Sequence, residues 1–165
     1  MGLNNGEIHT DSASIIMLVS LTVMTFGLFI PFWFILKKGS LNSLQSGEKI
    51  GVSVSVFVLI ISAIGLVIRL APFFPSLSWI AGYQISQTLP KLFDAVAFLL
   101  ITAQCFKVKR VLSDHFSTYD KWNKPFSNIA TIAFQIFYLQ YKINRFNEHE
   151  LINKKLNEIR REVVG

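Results

Sequence analysis

Residues 14–36, SIIMLVSLTVMTFGLFIPFWFIL, contain 23 consecutive uncharged positions. As a helix such a run is about 35 Å long, enough to cross a hydrocarbon core of about 30 Å. No other feature restricts the fold so strongly, because backbone that enters lipid must satisfy its own hydrogen bonds in helices or closed barrels. Residues 50–68, IGVSVSVFVLIISAIGLVI, form a second uncharged run closed by Arg69. The alternation in GVSVSV suits a strand, but an isolated strand in lipid leaves its backbone groups unpaired. A third segment, 91–106, carries Lys91 and Asp94 near its start, and a fourth begins at Phe126. The expected architecture is all-α: a polytopic helical membrane domain over 14–146 with three to four membrane segments. They lie near 14–36, 50–69, 90–106 and, as a weaker candidate, 126–145. A polar segment, 1–13, precedes this domain, and a soluble amphipathic helical tail, 147–165, follows it.

Composition agrees. Of 165 residues, 52% are hydrophobic and only 16% charged, against about a quarter charged in soluble domains. The mean hydropathy is +0.46. All 16 Lys and Arg follow residue 36, grouped beside the apolar segments, and the net charge is +6. That is the distribution of loops resting on anionic headgroups rather than of a nucleic-acid-binding face. Lys37, Lys38, Lys107, Lys109, Arg110, Lys142 and Arg145 are the candidate headgroup contacts. An acidic, unbasic N-terminal segment is not a secretory signal. With the basic loop that follows, it predicts an external N-terminus and cytoplasmic loops at 37–49 and 107–125. The fourth segment conflicts with this scheme, because a fourth crossing would put the six basic residues from Lys142 onward outside.

Within the first run, Pro31 removes the hydrogen bond to the carbonyl of residue 27, where Gly27 leaves room for the ring. This predicts a kink in mid-span, with Trp33 as an interfacial anchor beside Lys37 and Lys38. Residues 70–90 hold Pro72 and Pro75, with Trp79 and Tyr83 on one helical face, which suits a short interfacial helix. Val108, Val111, Leu112 and Phe116 are expected to lie along the membrane. In the fourth segment Thr131, Gln135, Tyr138, Lys142, Arg145 and His149 repeat with 4-3-4-3-4 spacing, on one face of a continuous helix. Gln140 and Asn144 mark the opposite side, so both faces call for contact with protein or water. In the tail Ile152, Leu156, Ile159 and Val163 repeat at 4-3-4, and Glu150–Lys154 is a favourable helical pair. That stripe predicts docking, onto the protein's own loops or onto a partner, since two heptads are short for a coiled coil.

Catalytic chemistry has little foothold. Asp94 is the acidic residue nearest a membrane core, and Lys91 three residues before it is the expected salt-bridge partner. Asp94, Gln104, Gln135, Gln140 and Asn144 are the candidate intramembrane polar contacts. His9, His115 and His149 lack metal-binding spacing, and Cys105 reads as a small buried hydrophobe. No phosphate loop, nucleophile elbow or carboxylate pair is present in the sequence, and no histidine lies within a span to hold a haem or quinone. No catalytic residue, cofactor or metal is therefore expected.

TFGLFIPFW at 25–33 resembles the first-span signature of the bacterial membrane-protein family known as domain of unknown function 4234, roughly T-x-G-[IL]-Y-x-x-x-W. Thr25, Gly27, Leu28 and Trp33 match, Phe29 replaces the tyrosine, and Pro31 is foreign to the pattern. FKVKRVL at 106–112 resembles the stretch after the family's middle span. YLQYKIN at 138–144 resembles the end of its last span, with Gln140 and Asn144 at the matching positions. The likeness covers about 15–146, with an extra segment around 69–90. It implies a small protein of the bacterial cytoplasmic membrane without an assigned activity, and a last segment that spans.

The expected role is a non-enzymatic accessory or scaffold subunit of a larger membrane complex, with membrane lipids and other proteins as partners, and homo-oligomers open. Two alternatives remain: a small oligomeric channel or transporter component lined by Gln135, Lys142, Arg145 and Asp94, and a factor acting on anionic lipid.

Overall fold

A computed structural model describes residues 13–44, 46–74, 88–119 and 126–164, and among those residues the regular structure is helical, with no strand. The helices are α1 (Ile15–Met24), α2 (Phe29–Asn42), α3 (Ser53–Leu70), α4 (Thr88–Tyr119) and α5 (Asn128–Val164), with a 3₁₀ turn at Ala71–Phe73. Two of them, α3 and the Thr88–Ser117 part of α4, are long and apolar enough to cross a membrane. They pack antiparallel: Gly65 faces Phe93, and Arg69 pairs with Asp94 at the α3 end. On α3, Phe57, Ile60, Ile64 and Val67 point outward along one face. The expected interfacial helix at 70–90 lies largely outside the described residues, as do residues 1–12.

The first apolar run is not one helix. α1 closes at Thr25 with a Schellman motif, in which the Gly27 amide donates to the Thr22 carbonyl (2.8 Å) and the Phe26 amide to Val23 (3.1 Å). Phe26 and Gly27 both carry positive φ, +51° and +88°. Only glycine adopts this region at no steric cost, so Gly27 rather than Pro31 is what permits the break. The Thr25 hydroxyl then accepts the Phe29 amide (3.0 Å), joining the end of α1 to the start of α2. Pro31 sits in the first turn of α2, where an amide has no helical acceptor to lose. The expected mid-span proline kink is thus a glycine-centred break between two shorter helices.

A comparable break divides α5. Gln135 has φ +41° and ψ −120°, outside helical space. The Ser127 amide donates to the Tyr138 hydroxyl (2.9 Å), and the Lys142 ammonium lies over the Phe126 ring (5.3 Å). A straight helix would separate residues 126 and 142 by about 24 Å along its axis. The chain therefore folds back at Gln135 into a short limb, 128–134, and a return limb, 136–164. The polar residues predicted for one continuous face are split by that reversal.

The core runs through both breaks. Trp33, Phe34, Val58, Cys105, Val108, Val111, Leu112, Phe116, Ile136, Leu139, Ile143 and Phe146 are buried together. Phe116 stacks on Phe146, ring centroids 3.9 Å apart. Val108, Val111, Leu112 and Phe116 are therefore buried in the helical core, Phe116 against the return limb of α5, and do not lie along a headgroup layer. A contiguous apolar stripe buries more surface against another helix than against a polar interface. Across the α2–α3 loop, Asn42 bonds both the amide and the carbonyl of Ile50 (2.7 and 3.0 Å). Ser46–Asp114 and Glu48–Arg110 contacts then hold this loop against the charged half of α4.

Candidate functional site

The most distinctive arrangement is a chain of hydrogen-bonded amides, buried at Gln140 and half-buried at Asn144, between helices far apart in sequence. Trp33 Nε1 donates to Gln140 Oε1 (3.3 Å), Gln140 Nε2 donates to Asn144 Oδ1 (2.8 Å), and Asn144 Nδ2 donates to the Ala13 carbonyl (2.9 Å). Trp33 is 1% exposed and Gln140 wholly buried. Each donor in this chain finds an acceptor, which buried polar groups require if their desolvation is not to cost about 1–3 kcal/mol apiece. α2 supplies the indole, the return limb of α5 both amides, and the residue ahead of α1 the terminal acceptor. Ala13 and Trp33 would lie about 30 Å apart on a straight helix. Their convergence on one amide pair follows from the turn at Phe26–Gly27. Trp33 is consequently a core hydrogen-bond donor and not an interfacial anchor.

The other predicted polar contacts fall into separate groups. Asp94 pairs with Arg69 on α3 rather than with Lys91, and both partners are about half exposed. A carboxylate on α4 reaches a cation across the helix pair more directly than one along its own first turn. Gln135 Nε2 donates to Thr102 Oγ1 (3.1 Å), tying the strained residue to α4. Gln104 and Ser55 are buried, and Gln104 Oε1 and Ser55 Oγ have no hydrogen-bond partner among the described residues. Among the same residues, no group of three His, Cys, Asp or Glu side chains is placed to hold a metal. Cys105 is fully buried, as a small hydrophobe would be.

Apart from Arg69 and Lys91, which lie at the opposite end, the described basic residues of the bundle gather at one end, several with a neighbour of their own. Arg110 pairs with Glu48 (3.3 Å), and Lys109 bonds Asn128 and lies over the Phe106 ring. Lys142 lies over Phe126 and Tyr138, and Arg145 pairs with Glu148 (3.2 Å). Lys38 and Lys107 are exposed, and Lys37 is half-buried. Ala13, the α2–α3 loop and Phe126 also lie at this end, linked through Asn144, Phe146, Phe116 and Asp114. A single crossing over 14–36 would have put Ala13 and that loop at opposite ends.

The return limb runs beside α4, from Thr102 at Gln135 to Phe116 at Phe146, and continues outward past that end. There Ile152, Leu156, Ile159 and Val163 are exposed, between 50% and 79%. The tail stripe thus does not dock on the protein's own described loops. Sequence reading missed Arg69, Thr102 and the Ala13 carbonyl. Each is ordinary in sequence and acquires its role only from a partner at least 25 positions away. No protein-family model matches the chain, and neither a curated protein nor a solved structure matches it.

Proposed function

We propose that this chain is a non-enzymatic integral membrane protein, an accessory or scaffold subunit of a larger membrane assembly. The observation that carries the reading is the tail: an exposed apolar stripe on a helix that continues unbroken from the buried core. The bundle pairs many of its polar groups internally, and the tail leaves its apolar ones outside. In this reading α3 and α4 cross the bilayer, with Phe57, Ile60, Ile64 and Val67 toward lipid. The α1–α2 pair and the folded limbs of α5 are two further membrane segments that enter and return from the basic end. The 37–49 loop, the basic half of α4 and the tail then share the cytoplasmic face, and Ala13 joins them in place of the external N-terminus expected from charge, which removes the conflict a fourth crossing creates.

The resemblance to the family known as domain of unknown function 4234 belongs to this proposal. In its support, Thr25 and Gly27 build the α1–α2 turn, and Trp33, Gln140 and Asn144 form one hydrogen-bonded chain. The channel alternative gains no such support, because Asp94, Gln135, Lys142 and Arg145 each engage a different neighbour.

Isolation in a mild detergent tests the role. A scaffold should emerge in a stable assembly with other membrane polypeptides, and a clean, free chain overturns it. Reporter fusions before residue 13, within the 43–52 loop and after residue 164 test the topology. All three should report the same side; a split between the first and second overturns the re-entrant reading.

A further inference from the structure

We infer that the exposed tail face binds a second copy of itself, tail to tail and antiparallel. Ile152, Leu156, Ile159 and Val163 alternate four and three apart, the core positions of a two-stranded coiled coil. All four are exposed on a helix that leaves the basic end of the bundle along the direction of α4. The flanking residues choose the partner's direction.

In a parallel pair, the residue preceding one core position faces the residue that follows a core position of the other strand, five places later. Lys155 then meets Arg160 of its twin, twice by symmetry, and like charges repel. In an antiparallel pair Leu156 packs on the twin's Ile159 and Ile152 on its Val163. Each flank then faces the same flank of the other copy. Lys155 meets Glu162 twice, and Asn153 meets Arg160. Only the antiparallel register turns the repulsive flank into an attractive one.

The same composition argues against a lipid surface as the occupant. Residues 147–165 carry four Asp or Glu and four Lys or Arg side chains and no Phe, Tyr or Trp. Interfacial helices instead concentrate Lys and Arg on the polar face and aromatics on the apolar one. Because the tail projects along the bundle, the paired tails carry their two bundles at opposite ends. Copies in facing bilayers, or in separate micelles, can pair this way; neighbours side by side in one bilayer cannot.

Two sets of variants of the full chain in detergent test the geometry, each read by oxidative cross-linking with the native Cys105 retained as background. The double variant I152C/V163C should give a disulfide-linked dimer, whereas I152C or V163C alone should not. Within one helix these positions are about 16 Å apart, so the bridge can form only between copies. For the second set, the double variant I152C/V163C also carries the charge changes. K155E or E162K should lower the dimer yield about three- to tenfold at low salt, and K155E/E162K should restore it.

Cross-linking of I152C alone, or a higher yield with K155E, would establish parallel pairing and overturn the inference. So would failure of the double cysteine variant to cross-link while circular dichroism shows the tail helical. The lipid alternative is read with an environment-sensitive dye on I159C in proteoliposomes of anionic and neutral lipid. A blue shift that persists as the protein is diluted assigns the face to lipid and overturns self-pairing. Clustering of proteoliposomes that is lost with K155E and regained with K155E/E162K supports it. These readouts need no other polypeptide, so their failure leaves the scaffold proposal to its own purification test.

Discussion

The return limb of α5 is one helix with two regimes. From Ile136 to Phe146 it buries a glutamine completely, and from Asn147 onward it exposes isoleucine, leucine and valine. The repeat is similar in both halves, so periodicity alone does not decide burial. What differs is the neighbour. The inner half lies between α4 and the α1–α2 pair, where Gln140 finds a donor and an acceptor. The outer half runs beyond them. A polar residue can occupy a core when its partners are already in place, and an apolar stripe stays exposed when no described helix of the same chain extends far enough to cover it.

The contrast predicts large effects inside and negligible ones outside. Trp33→Ala removes a buried ring that packs edge-on against Phe34 at 5.2 Å and leaves Gln140 Oε1 without its donor. It should destabilise by about 3–5 kcal/mol. A thermal unfolding midpoint in detergent unchanged from wild type would break the comparison. Gln140→Leu keeps the volume but strands the Trp33 N–H and the Asn144 Oδ1. A loss of about 1–3 kcal/mol is expected in denaturant titration.

The two breaks sharpen the comparison further. Phe26 is an exposed aromatic in a left-handed conformation, so Phe26→Gly should stabilise by about 1 kcal/mol. Gln135→Gly relieves a similar backbone but forfeits the bond to Thr102. Its gain, measured the same way, should be smaller. Asp94→Asn removes a half-exposed ion pair, worth about 0.2–1 kcal/mol and fading as salt is raised. Smallest of all, Leu156→Ser should leave the unfolding midpoint of the monomeric bundle within about 0.5 kcal/mol. An effect as large as that of Gln140→Leu would mean the tail face is covered by the chain's own bundle.

Much of this molecule was legible in its residues. The uncharged run at 50–68 and the apolar segment at 91–106 announce α3 and α4, because lipid-length apolar helices need no distant partner to be recognised. The stripe from Ile152 to Val163 announces an amphipathic helix by spacing alone. Gln140 and Asn144 stand out as polar residues needing partners, and Trp33 as a large ring, but nothing local joins residue 33 to residue 140.

The two reversals were the least legible. A glycine and a proline four apart admit either a kinked span or two helices. The choice rests on where Ala13 and Trp33 find acceptors and donors. At Gln135 no breaker residue marks the turn at all. By itself, the sequence determined helices, their apolar length and the periodicity of each face, since those follow from local chemistry repeated along the chain. Which face is buried, which end is shared and where the chain turns back depended on the tertiary structure. Burial and hydrogen-bond satisfaction are properties of pairs, and here the partners lie tens to more than a hundred residues apart.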